Sequence, residues 1–270
     1  MNQDQVKEQL LQVEDAAEEF FVIFSGKSSK KVNGLYHPET REIIIHNRNF
    51  DSESELMYTA IHEYAHHIHF TTSPVPVGSR AHTLAYRDIL HRLLVKAEEC
   101  GVYANPFESD EFRMLADRLR REFLTQNGAI MKAFGEALIE AERLCRKRGA
   151  RFEDFVERVL AIDMRTATTA MKIHSYDITP EIGYSNMATV AGIRNEEQRN
   201  QAAAAFERGQ SADQVKVALR EDGKAPGDDP VRKLERERRR IQRTIQSLQT
   251  KLNAVEKRLE QLADASSEGS

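Results

Sequence analysis

The sequence predicts an α+β fold that is mostly α. It divides into a small N-terminal domain with a short sheet (1–104), an α-helical region (105–221), a linker (222–230) and a coiled coil (231–264). Three observations predict this. Arg41-Glu42-Ile43-Ile44-Ile45 is a short β-branched run, which favours a strand over a helix. Helix start and stop signals follow one another from Asn105 to about Thr189. From Val231 onward, apolar residues recur at heptad spacing.

The elements follow in order. MNQDQVKEQLLQVEDAAEEF is polar and acidic, so it reads as an amphipathic helix and not as a secretory signal. GKSSKKVNG is basic and turn-rich. Leu35-Tyr36, then His37-Pro38-Glu39-Thr40, then the Ile run predict strand, turn and strand. Ser52-x-x-Glu55 is a capping box. It starts a helix whose Leu56, Met57, Ile61, Tyr64 and Ile68 recur near every 3.6 residues. A Pro-rich stretch ending at Ser79-Arg80 turns the chain, and Ala81-His82-Thr83-Leu84 opens the next helix, with His82 in its first turn.

In the helical region, Asn105-Pro106 is an N-cap with a first-turn proline. Asn127-Gly128 and Arg148-Gly149 are expected breaks, with further helices starting near Phe152 and Arg165. Asn195-x-x-Gln198 opens a helix that Gly209 closes, and Ser211-x-x-Gln214 opens another. DGKAPGDDP, residues 222–230, has a linker's composition.

In the last tract Val231, Arg238, Ile245, Leu252 and Leu259 fall at heptad position a. Leu234, Ile241, Leu248, Val255 and Leu262 fall at d. This seam predicts a homo-oligomer, and Arg238 is its only polar residue. Lys251 faces Glu256 in a parallel pairing, but the other flanking pairs are neutral, so orientation stays open. The final ADASSEGS is expected to fray.

Composition excludes several classes. No run approaches the roughly 18 apolar residues of a membrane span, so no membrane partner is expected. The two cysteines, Cys100 and Cys145, form no metal-binding pair, which fits a reducing cytoplasm. A net charge of −4 argues against wholesale nucleic-acid coating and allows a local basic patch.

IHEYAHHIHF, residues 61–70, holds four histidines and a glutamate. His62-Glu63-Tyr64-Ala65-His66 reads H-E-x-x-H. On a helix, side chains four apart share a face, so His62 and His66 can bind one metal ion, Zn2+. Glu63 lies one residue round, placed to act as general base toward a water on that ion. All three lie opposite the apolar stripe. A catalytic zinc takes three protein ligands. His69 sits two turns from His62, about 10 Å along the axis, and His67 points elsewhere, so both read as bystanders. The candidates for the third ligand are His82, then Glu98 or Glu99, then Asp88.

The strand, the H-E-x-x-H helix, a loop and then His82-x-x-x-Tyr86 resemble the SprT-like zinc metallopeptidases, over roughly residues 33 to 100. The loop is long and no Cys-rich ribbon follows it, so the wider gluzincin-like group is the safer placement. The resemblance implies a zincin-like N-terminal domain, His82 as third ligand and a protein or peptide substrate. A glutamate ligand is instead similar to the ImmA/IrrE-like peptidases. Tyr86 is an oxyanion candidate by position alone, with a packing role as the alternative.

Phe152-Glu153-Asp154-Phe155-Val156, a turn, Arg165-Thr166-Ala167 and Met171-Lys172-Ile173 resemble helix-turn-helix modules of phage and plasmid proteins. That resemblance implies DNA contact through Arg165, Thr166, Thr168, Thr169 and Lys172. Core packing of an ordinary helix pair is the alternative. Arg232, Lys233, Arg236, Arg238, Arg239, Arg240 and Arg243 could grip phosphates, but Glu235 and Glu237 interleave with them as on a solvated coiled-coil face. The expectation is a cytoplasmic zinc endopeptidase acting on a protein, with DNA association possible by analogy. Its rivals are a DNA-binding regulator and an oligomeric scaffold, each with a structural or sensory metal.

Overall fold

The computed structural model describes residues 1–78, 82–222 and 230–267. It is mostly helical with one three-stranded sheet, as the sequence predicts.

Helix α1 (Gln3–Val13) starts at a reciprocal cap: Asn2 accepts the Gln5 amide at 2.9 Å, and Gln5 accepts the Asn2 amide at 2.8 Å. Its Val6, Leu10 and Val13 are buried. The helix stops well before Phe20 because Glu14 is extended, and the Glu14 carbonyl takes the Tyr64 hydroxyl at 2.6 Å. The chain then forms strand β1 (Phe21–Phe24), which the sequence reading left unassigned. Strands β2 (Gly34–His37) and β3 (Glu42–Ile45) form the expected antiparallel pair. Strand β3 is central, since β1 joins its other side in parallel, and its Ile43 and Ile45 are fully buried. Strand β2 is left as a sheet edge.

Helix α2 (Glu53–Thr72) starts at Ser52, whose side chain accepts the Glu55 amide at 3.2 Å. Its Leu56, Met57, Ile61, Tyr64 and Ile68 are buried as the periodicity predicts. Helix α3 (Leu84–Glu99) packs on it through Tyr86, Leu93 and Ala97. Its N-cap is Thr83, which accepts the Tyr86 amide at 3.3 Å. His82 therefore precedes the helix and does not sit in its first turn. Gly101, at φ 73°, ends α3 and lets the Val102 and Tyr103 amides return to the Ala97 carbonyl.

Asn105-Pro106 caps a 3-10 turn (Pro106–Glu108), and Ser109 caps α4 (Asp110–Leu119). The chain continues through a π-helical turn (Arg120–Leu124) into α5 (Thr125–Arg148). Asn127-Gly128 is thus no break. A Cβ on Gly128 would lie 2.6 Å from the Pro180 carbonyl, so this glycine serves close packing inside a helix. Gly149, at φ 67°, does end α5. A short turn α6 (Phe152–Asp154) and a π-helical turn (Phe155–Val159) precede α7 (Met164–Ser175), which Asp163 caps. A Cβ on Gly135 would overlap the Ala170 carbonyl, so α5 and α7 are in close backbone contact.

Helices α8 (Tyr184–Ala191), α9 (Glu196–Glu207) and α10 (Ala212–Asp222) complete a second core with Ile173, Met187, Val190 and Phe206. Helix α10 reaches back to α3: Arg87 pairs with Asp213 at 2.8 Å, and Gln214 meets His91. Helix α11 (Pro230–Ser267) carries the heptad tract and is still helical within the expected frayed end. Most of the expected linker, and the side chain of Leu262, lie outside the described residues. Among the described residues, no helix is long and apolar enough to cross a membrane.

Candidate metal centre

The middle of α2 and the residue before the Thr83 cap bring three imidazoles together. His82 Nε2 lies 3.2 Å from His62 Nε2 and 3.1 Å from His66 Nε2. A neutral imidazole nitrogen has either one N–H or one lone pair. A single His82 Nε2 therefore cannot satisfy both neighbours by hydrogen bonding. Three lone pairs converging on one cation would satisfy all of them. Tetrahedral bonds of about 2.0–2.1 Å to zinc put ligand nitrogens about 3.3 Å apart, close to the spacing observed. All three donor atoms lie within 4.8 Å of one another, so the group can hold a metal ion.

The electrostatics favour the metal-ready form. Burial, and then the neighbouring His82, push His62 down to about 4. Burial, followed by the neighbouring His62, His82 and His69, pushes His66 down to about 3. Both rings are neutral near pH 7, as ligands must be. His66 is buried, His62 half-buried and His82 exposed, which gives the group a solvent-facing side.

Tyr86 holds this arrangement in place. Its hydroxyl donates to the His62 carbonyl at 3.1 Å, and its ring stacks on His66 with centroids 4.1 Å apart. The side chain is buried. Of the two roles weighed from sequence, packing and positioning is the one the geometry supports, because the hydroxyl is already committed. Glu98, Glu99 and Asp88 are not part of the histidine group. One feature falls short of a complete shell. His66 Nδ1 and His69 Nδ1 are buried and find no hydrogen-bond partner among the described residues. Metal-bound histidines usually donate from the second nitrogen.

Glu63 is buried beside His62, and burial pushes its carboxyl up to about 7. It lines a cleft of about 470 Å³ with His62, His66 and His82. Edge strand β2 also lines it, through Gly34, Leu35 and Tyr36, and forms one wall.

Two residues that sequence reasoning did not mark shape that wall. A Cβ on Gly34 would lie 2.9 Å from Thr59 Cγ2 and 3.1 Å from Glu63 Cγ. Only glycine lets the strand approach Glu63 so closely. Its signal was the Asn-Gly ending a turn-rich stretch. The second residue is His67, read as a bystander and in fact fully buried. Its Nε2 is 3.0 Å from the Glu18 carbonyl, which can only accept, so Nε2 carries the proton. Its Nδ1 then accepts from the Tyr36 hydroxyl at 3.1 Å, fixing an aromatic of the cleft wall.

No family model, curated protein or solved structure matches the chain. The site is therefore read from its own geometry.

The residues proposed for DNA contact lie on α7. Arg165, Thr168 and Lys172 are exposed, whereas Ala167, Ala170 and Ile173 are buried. Thr166 is engaged with the Asp163 cap at 2.7 Å, and the Thr168 hydroxyl donates to the Met164 carbonyl at 2.7 Å. Thr169 is half-buried. The turn before α7 lacks glycine, and Ala161 takes the left-handed conformation there, at φ 55°.

Proposed function

We propose that this chain is a zinc-dependent endopeptidase. The observation that carries the reading is the convergence of His62, His66 and His82 beside a buried Glu63 on the floor of a cleft. A purely structural metal has no use for a base at that position. A zinc ion held by the three histidines supplies a water of pKa about 7 and polarises a carbonyl.

The chain's own residues supply the rest. The carboxyl of Glu63, buried in the cleft beside His62, is placed to take a proton from the attacking water and return it to a leaving amine. Edge strand β2 presents unpaired backbone groups along the cleft, to which an extended peptide can add as a further strand. Tyr86 keeps His62 and His66 in register, and the Tyr36–His67 pair stiffens the wall. The substrate is accordingly a protein segment in extended form. The reading is tested by incubating casein or an extended peptide with the zinc-loaded protein. Wild type should cleave, and Glu63→Gln should keep its metal yet lose roughly a thousandfold in rate. An unchanged rate in that variant would sink the assignment.

Helix α11 supports a second property, self-association. Its Ile245, Leu248, Leu252 and Leu259 are all exposed along one seam, and a parallel or antiparallel partner copy of the same seam would cover them. The exposed Arg165 and Lys172 on α7 support a lesser reading, contact with DNA phosphates.

A further inference from the structure

The metal cleft does not end at the histidines. A second cavity of about 480 Å³ adjoins it, and the two share Asn33, Tyr58 and Thr59 as lining residues. Its other walls are built from Phe50, Tyr103, Pro106 and Phe107, with Glu55 at the side. Tyr103, Pro106 and Phe107 belong to the connection between α3 and α4, beyond the stretch that resembles a peptidase.

The cavity is preformed. Gly101 folds the chain back so that the Tyr103 amide donates to the Ala97 carbonyl at 3.0 Å. Ser54 Oγ donates to the Ala104 carbonyl at 3.2 Å, tying the same segment to the first turn of α2. On the other side, Asn49 holds the loop before β2 through the Ser29 amide and carbonyl and Asn33 Oδ1, at 2.7–2.8 Å. Both flanks of the cavity are thus hydrogen-bonded scaffolding, not side chains collapsed on one another.

Its chemistry is specific. Tyr58 and Phe107 are 42 % and 63 % exposed, so two aromatic rings stand open toward water at this cavity. Tyr58 and Tyr103 lie with centroids 6.2 Å apart, in the range of aromatic clusters. No lining residue is cationic, and the one charged group is Glu55. An acidic guest meets no cationic partner among the lining residues and faces Glu55, whereas a ring or a long aliphatic chain meets aromatic surface on several sides.

We propose that this cavity is a specificity pocket that receives a large apolar or aromatic side chain of the peptide lying in the metal cleft. The inference rests on the peptidase reading, and it names the substrate class: extended segments with a Phe, Tyr or Leu a short distance from the cleaved bond. Because Asn33 and Gly34 are consecutive, a chain paired along β2 is carried toward the cavity at the strand's beginning.

The test uses fluorescently labelled Ala/Gly-rich decapeptides carrying a single Phe, Leu, Lys or Asp at each position in turn. Binding is read by anisotropy with zinc-loaded Glu63→Gln protein, and cleavage with the wild type. The Phe and Leu peptides should bind and be cleaved roughly tenfold better than the all-Ala peptide when the residue is at one position. Lys and Asp there should bring no gain. Phe107→Ala should remove most of the preference, and its exposure makes it safe for folding. Glu55→Trp, placing an indole in the cavity from an exposed site, should block the Phe peptide.

A preference for Lys, or a Phe preference untouched by both variants, would overturn the pocket assignment even if cleavage is seen. Absence of cleavage, with Phe-selective binding that Phe107→Ala abolishes, would sink the peptidase reading and leave the pocket standing.

Discussion

Helices α2 and α11 depart from ordinary burial in opposite directions. Helix α2 takes Glu63, His66, His67 and His69 out of water, and α11 leaves Ile245, Leu248, Leu252 and Leu259 in it. Both departures cost free energy in the isolated chain. Burying a polar group is unfavourable unless something pairs with it, and an exposed apolar seam is unfavourable until something covers it. In α2 the debt is met partly inside the molecule, by Glu18 and Tyr36 around His67, and partly by what the three clustered histidines can bind. In α11 nothing in the same chain meets it among the described residues. The first departure fits the proposed ligand, the second the proposed self-association.

Breaking the α11 side should give the largest effect. Ile245→Asp with Leu248→Asp places charges in the seam and should abolish self-association, read by sedimentation, with the metal content unchanged. A chain that is monomeric before the substitution would remove the oligomer from the account.

The buried carboxyl of α2 gives the next effect, in the metal-free protein. Folded Glu63 holds its proton up to about pH 7, whereas its ordinary value is 4.5. Between these values the folded state binds more protons than the unfolded one, so this group's stabilisation is complete below pH 4.5 and is lost as pH rises through 7. The loss is on the order of 3 kcal/mol. His62 and His66, pushed down, act with the opposite sign as pH falls. Comparing wild type with Glu63→Gln in urea melts across pH 4–8 isolates the carboxyl. Parallel pH profiles would show that Glu63 is not held in its uncharged form.

A smaller effect is expected at the strand facing α2. Gly34→Ala brings a methyl group against Thr59 and Glu63 and should cost about 1–3 kcal/mol by overpacking. Cleavage should fall more than the melting temperature suggests, because the displaced group is the proposed base. Equal stability and activity would mean that the strand has room to retreat. The smallest effect belongs to α7. Arg165→Ala with Lys172→Ala should lower the salt slope of DNA binding by about 2, one for each lost phosphate contact. No binding to DNA at low salt by the wild type would dismiss that role.

Much of this was legible in sequence for local reasons. The spacing of His62 and His66, the Ser52 cap and the heptads of α11 are short-range patterns that the chain must obey wherever it folds. His82 was reachable through the His82-x-x-x-Tyr86 resemblance, although it precedes the Thr83 cap and does not lie inside the helix. What was not legible depends on contacts distant in sequence. The four residues of β1 carry too little pattern to announce a strand, and they become one by pairing with β3, about twenty residues on. Asn127-Gly128 looks like a helix end until Pro180 and Met187 are seen to need the missing side chain. His67 reads as a bystander because periodicity assumes one buried stripe. Helix α2 is covered from several sides, by α1, by the sheet and by α3, so its buried arc is wider.

The metal site proposed for His62, His66 and His82 should hold one zinc ion. Metal analysis of the purified protein, after zinc loading and extensive dialysis, tests it most directly against His82→Ala. One zinc per wild-type chain is expected, with affinity lower by on the order of a hundredfold or more in the variant, which keeps only two of the three protein ligands. Full zinc retention by His82→Ala would contradict it and return the third ligand to Glu98, Glu99 or Asp88.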